Sequence, residues 1–154
     1  LWSRLGWLHV DPNKIRDYDK AAEAFGKAVE TGNALPYVRR FQAMAMARSE
    51  KYADDALPLV RRIMEEDGGA PPTLLALRFT LEHRENPGID SDALALELFG
   101  SHENAYQILG NHYLDIRGEY PMNGLGTYLR KLERLLEIPQ EESVFRAREA
   151  LEQR

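Results

Sequence analysis

Tyr106-x2-Leu109-Gly110-x2-Tyr113 restates, near the end of the chain, the Trp2-x2-Leu5-Gly6 of its opening. Equivalent residues stand 104 positions apart, about three periods of roughly 34–35 residues. A period of that length belongs to stacked helix-turn-helix pairs. One pair cannot bury its own apolar face, so its neighbours must do it. The pattern therefore predicts an all-α chain built from repeated antiparallel helix pairs.

Punctuation supports the same reading. Alternating β-branched runs are absent, while Ala, Leu, Glu, Arg and Lys dominate, as helices prefer. Pro, Gly, Asn and Asp cut the chain into about nine helical segments. These are expected at about 1–10, 17–31, 36–49, 53–67, 72–85, 91–99, 102–117, 121–137 and 139–153. Pro36, Pro72 and Pro139 stand where a first-turn proline is tolerated, and Ser101 caps the seventh segment. Gly124-x-Gly126 has no strand before it and the wrong glycine pattern for a phosphate loop, so it reads as a broken first turn of the eighth. Paired, the segments give repeat units at about 1–33, 36–69, 71–100 and 102–137, followed by a C-terminal capping helix. All belong to one expected domain, 1–154. The chain begins at Leu1 rather than Met and reads as a fragment of a longer protein.

The second helix of each pair carries its own echo. Ala21-x3-Phe25-x2-Ala28 returns as Ala56-x3-Val60-x2-Ile63, and more weakly as Ala93-x3-Glu97-x2-Gly100. Small residues at Gly6, Ala21 and Gly110 are expected to let paired helices approach, while Trp2, Leu5, Phe25, Tyr106 and Leu109 fill the gaps.

With these residues the chain resembles the tetratricopeptide repeat family. Trp2, Leu5 and Gly6 match the first-helix motif, with His9 replacing its tyrosine; Tyr106, Leu109, Gly110 and Tyr113 match it again. Ala21, Phe25 and Ala28 match the second-helix triplet, and Asp17-Tyr18-Asp19-Lys20 reads like the turn into it. The second unit offers Phe41-x2-Met44-Ala45. The third aligns through Leu74 and Leu77 or through Leu75, Ala76 and Phe79. The resemblance implies a right-handed α-solenoid of about four helix pairs that holds a peptide or partner protein in its concave groove. Counted from the anchors, the groove residues implied are Ser3, Trp7, Arg39, Gln42, Met46, Asn104, Gln107 and Asn111, with Arg78 or Phe79 from the third unit. The lysine, asparagine and arginine clamp by which some members grip a chaperone's terminal carboxylate is not assembled; Ser3, Trp7, Gln42 and Arg78 stand there instead.

Composition narrows the alternatives. The 154 residues are 44% hydrophobic and 29% charged, with a net charge of -5, which suits a globular domain and argues against nucleic acid as the main ligand. The absence of cysteine excludes disulfides, thiolate catalysis and iron–sulfur clusters. No apolar run reaches the length of a membrane span. The compartment stays open, with cytoplasm favoured over periplasm by a small margin. His102-Glu103 is followed by Ala105 and Tyr106 rather than a second histidine, so no metal is expected and the four histidines read as surface or interface residues. The carboxylates at Glu65-Glu66-Asp67, Asp90/Asp92 and Glu141-Glu142 read as caps and solvated faces, and Arg39-Arg40 and Arg61-Arg62 as solvated or salt-bridged.

The reading is therefore a non-catalytic interaction module without cofactor. Its alternatives are an accessory or regulatory domain of a larger enzyme or membrane-associated assembly factor, an α/α-scaffold enzyme with carboxylates in its concavity, and self-association through uncovered terminal helices.

Overall fold

The computed structural model describes residues 17–32, 35–115 and 121–153, and among them there are eight α-helices and no strand. They are α1 (Tyr18–Glu30), α2 (Pro36–Arg48), α3 (Ala53–Asp67), α4 (Pro72–Glu85), α5 (Ser91–Phe99), α6 (His102–Asp115), α7 (Leu125–Leu135) and α8 (Val144–Glu152). The expected segment 1–10, and with it Trp2, Leu5 and Gly6, lies outside the described residues.

Local chemistry sets most boundaries. Asp17, in extended backbone, accepts the Lys20 N–H at 3.0 Å, and Asp90 accepts that of Ala93 at 3.1 Å. Each satisfies a donor that the first helical turn leaves without a partner. Ser101 does the same for Asn104 at 3.1 Å. Pro58 lies inside α3, where a proline removes one backbone hydrogen bond and crowds the preceding turn.

Two expected starts are corrected. The segment expected from 121 begins at Leu125, behind Gly124 at φ 71°. A Cβ at Gly124 would stand 2.4 Å from His83 Cδ2, so the chain bends tightly over that ring and only then becomes helical. The segment expected from 139 begins at Val144; Pro139 leads into a single 3-10 turn, Gln140–Glu142, and Ser143 caps α8. Glu141 and Glu142 thus belong to that turn rather than to α8.

The chain divides into two compact bodies, one up to Leu74 and one from Leu75. In the first, α1 packs on α2 and α2 on α3. Its buried residues are small: Ala21, Ala22, Ala24, Ala28, Ala43, Ala45, Ala47 and Ala56 accompany Phe25, Val38, Leu57, Val60 and Ile63. Phe25 meets Phe41 with ring centroids 6.0 Å apart. The echo Ala21-Phe25-Ala28 and Ala56-Val60-Ile63 thus falls on wholly buried positions.

In the second body, α6 packs against α5, α7 and α8. Its core is built from large side chains, with Phe79, Phe99, Leu109, Leu125, Tyr128, Leu129 and Leu132 in one cluster. Two expectations fail here. Ala93, Glu97 and Gly100 are exposed; Leu94, Ala95 and Phe99 take the buried face of α5. Gly110 faces Val144 of α8, whose Cγ2 would lie 3.6 Å from a Cβ there, so the close approach it permits is to the C-terminal helix rather than to α7. That helix is fastened by Arg148, which donates to the Tyr113 carbonyl at 3.4 Å and lies 4.5 Å over its ring, and by Arg130 over the Phe145 ring at 4.1 Å.

Candidate partner-binding faces

The residues expected to line a groove fall on α2, α4 and α6, with Ser3 and Trp7 outside the described residues. On α2, Arg39 is drawn into an ion pair with Glu66 of α3 at 2.7 Å, and beside it Arg40 pairs with Asp67 at 3.6 Å. The acidic run at the end of α3 is therefore not simply a solvated face: two of its three members fasten α3 to α2.

Gln42 and Met46 lie one turn apart and line a concavity of about 250 Å³ between α1 and α2. Ala22, Glu23, Gly26, Lys27, Glu30 and Tyr52 complete its described lining. Glu23 accepts the Tyr52 hydroxyl at 2.7 Å and Lys51 Nζ at 3.4 Å. The Tyr52 bond and then Lys51 hold its carboxyl below the usual carboxylate range. Lys51 itself is pushed up by Tyr52 and Glu23.

On α6, Asn104, Gln107 and Asn111 are all exposed, and their spacing puts them along one face of the helix. Asn104 is partly committed, since its side-chain amide donates to the Phe99 carbonyl at 3.3 Å. Gln107 and Asn111 make no side-chain bond among the described residues. Arg78 on α4 is half-buried, whereas Phe79 is wholly buried, 5.3 Å from Tyr128 and 6.2 Å from Phe99 between ring centroids. The alternative that placed Phe79 in a groove is overturned, because that ring is core.

Three polar clusters in the second body look chemical and turn out to fasten helices. Glu133 of α7 accepts the Tyr106 hydroxyl at 2.6 Å, the Ser143 hydroxyl at 3.0 Å and the Val144 N–H at 3.0 Å, tying α6, α7 and α8 together. Burial first, and the Glu133 bond second, push Tyr106 up to about 12. Asp92 accepts the Tyr128 hydroxyl at 2.7 Å and lies 3.3 Å from His102 Nε2 and 3.6 Å from Lys131 Nζ. The Tyr128 bond foremost lowers its pKa, and burial raises that of Tyr128.

His83 makes up the third cluster. Its Nδ1 lies 2.8 Å from the Phe79 carbonyl and its Nε2 2.7 Å from Ser91 Oγ. The carbonyl can only accept, so Nδ1 carries a proton and donates to it. His83 is buried, and so is His112, so of the surface or interface positions expected for the histidines neither of these two takes a surface one. Among the described residues no group of His, Asp and Glu is arranged to hold a metal, and no helix is long and apolar enough to cross a membrane.

Sequence reasoning missed the α1 side of the concavity, Glu23, Gly26, Lys27 and Glu30, and with it Tyr52 at the start of α3. One signal was available, a glycine at 26 inside a strongly helical stretch, where an isolated glycine calls for a packing or functional reason. No family model matches the chain, nor does any curated protein or solved structure.

Proposed function

We propose that this chain is a non-catalytic protein-interaction module, a tetratricopeptide-like right-handed α-solenoid that recognises a peptide or partner protein without a cofactor. The observation that carries the reading is the contrast between committed charges and uncommitted amides. Arg39, Arg40, Glu23, Asp92 and Glu133 are all engaged within the fold. Gln42, Gln107 and Asn111 stand on helix faces without a side-chain hydrogen bond among the described residues. A side-chain amide both donates and accepts, so it matches a peptide main chain without demanding charge. The adaptable thioether of Met46 beside Gln42 suits contact with varied side chains.

The test is capture of a partner from the source cell on the immobilised chain, repeated with the Gln107→Ala/Asn111→Ala double variant. The reading expects the variant to keep its helical signal and melting temperature and to lose the partner. Undiminished capture by a folded double variant contradicts it.

A further inference from the structure

Asn123 and Gly124 form the bend that leads into α7, and both are exposed. The Leu125 N–H bonds the Met122 carbonyl at 3.0 Å across them, and Gly124 stands at φ 71°, ψ -7°. With Asn123 at negative φ, that is a type II turn with glycine at its third position. The peptide unit between the two is untethered. Neither the Asn123 carbonyl nor the Gly124 N–H makes a hydrogen bond among the described residues, and the Asn123 side-chain amide makes none. Turning that peptide toward the side chain therefore breaks no bond.

The chemistry open to such a pair is a ring closure. The Gly124 nitrogen attacks the Asn123 side-chain carbonyl carbon, its proton passes to a solvent base and ammonia leaves. Water then opens the succinimide at either carbonyl, giving aspartate or isoaspartate, whose main chain runs through the former side chain. A following glycine has no Cβ to crowd the attack. The other described asparagines are closed to this route. Pro87 follows Asn86, and its nitrogen carries no proton. Asn104 and Asn111 lie inside α6, where the next N–H belongs to the helix ladder, and the Asn104 amide is bound to the Phe99 carbonyl. Asp67-Gly68 could close the same ring, but the Met64 carbonyl holds the Gly68 N–H and Arg40 holds the Asp67 carboxylate.

We propose that Asn123-Gly124 is a site of self-modification, at which deamidation through a succinimide converts Asn123 to aspartate and isoaspartate. The two products act oppositely on the fold. Aspartate adds a negative charge just before the N-terminus of α7, where the helix dipole favours it. Isoaspartate adds a methylene to the main chain at a bend with no space to spare. A Cβ at Gly124 would already stand 2.4 Å from His83 Cδ2. The bond from Leu125 N–H to Met122 spans the lengthened link, and the bond from Tyr128 N–H to the Gly124 carbonyl, at 3.1 Å, adjoins it. Isoaspartate therefore unseats the start of α7 from His83 and weakens the second body.

The experiment ages the full chain in mildly alkaline buffer, followed by peptide mapping with mass spectrometry and labelling by an isoaspartate methyltransferase. A gain of one mass unit and methyl acceptance are expected at Asn123 before any other asparagine. Asn123→Gln, whose longer side chain must close a six-membered ring, should show neither at that position. The aged isoaspartate form, separated by ion exchange, should melt below the parent, whereas Asn123→Asp should melt no lower. The peptide acetyl-Pro-Met-Asn-Gly-Leu-Gly-amide, aged in parallel, reports the chemistry without the fold. Absence of conversion at Asn123 while the peptide converts, or earlier conversion at Asn104 or Asn111, overturns the site. An isoaspartate form that melts with the parent overturns its effect on α7.

Discussion

The two bodies of this chain solve the same packing problem with opposite materials. Up to Leu74 the helices are joined through small residues, eight buried alanines around Phe25, Val38, Val60 and Ile63. Ion pairs close their edges at Arg39–Glu66, Arg40–Asp67 and Lys51–Glu23. From Leu75 onward the helices are spaced by rings and leucines, and polar clusters at the half-buried Glu133 and Asp92 and at the buried His83 join them. Small residues bring backbones close and leave shallow hollows at the surface, which is where the α1–α2 concavity arises. Large residues fill their own gaps, and a polar group buried between them, as His83 is, must be satisfied internally.

The contrast breaks most visibly at Phe79. Removing that wholly buried ring should destabilise the second body by about 3–5 kcal/mol, read as a lower denaturation midpoint. Gly124→Ala comes next, at about 2–4 kcal/mol, because it combines a left-handed backbone with a clash against a hydrogen-bonded imidazole. Both are read in the same denaturation measurement, and a midpoint equal to the parent's in either variant would contradict the packing described.

Pro58→Ala sharpens the other side. It restores a hydrogen bond in α3 and should stabilise the first body by about 1–3 kcal/mol, read by thermal melting. A neutral or negative effect would mean that the proline is packed to an advantage not visible in α3 itself. Glu66→Gln should be the smallest change, under about 1 kcal/mol, since that carboxylate is half exposed and its pairing with Arg39 is screened.

Alkaline pH tests the Glu133 cluster of the second body. Tyr106 rises from 10.0 to about 12 on folding. Its contribution is therefore fully present below pH 10 and is lost as pH rises through about 12. Stability measured across that window should fall less in Tyr106→Phe than in the parent, and an identical fall would show that the Glu133 cluster is not what titrates.

Much of this architecture was legible because it is local. Caps and stops at Asp17, Pro36, Gly68, Asp90, Gly100 and Ser101 depend on neighbours within a turn, and the corresponding helices begin and end close to where they were expected. The departures depend on distant residues. Gly124 is shaped by His83, and the start of α8 is fixed by a carboxylate of α7; no periodicity carries either contact. The same holds for Glu66 and Asp67, which look solvated along their own helix and pair across to the next. For the candidate site, the α2 and α6 amides could be counted from the repeat anchors. Phe79 could not be told from Arg78 without knowing which side of α4 is core. The α1 wall was hidden because its one sign, a glycine inside a helix, has many possible causes.

Recognition by uncommitted amides rather than by charge makes one quantitative demand. Let the affinity of a captured partner for the intact chain be measured by calorimetry across a series of salt concentrations. If amides carry the recognition, the affinity stays nearly constant from low salt to well above the point where exposed charges are screened. A steep, progressive loss of affinity with salt would place the binding energy on charged groups and contradict the account.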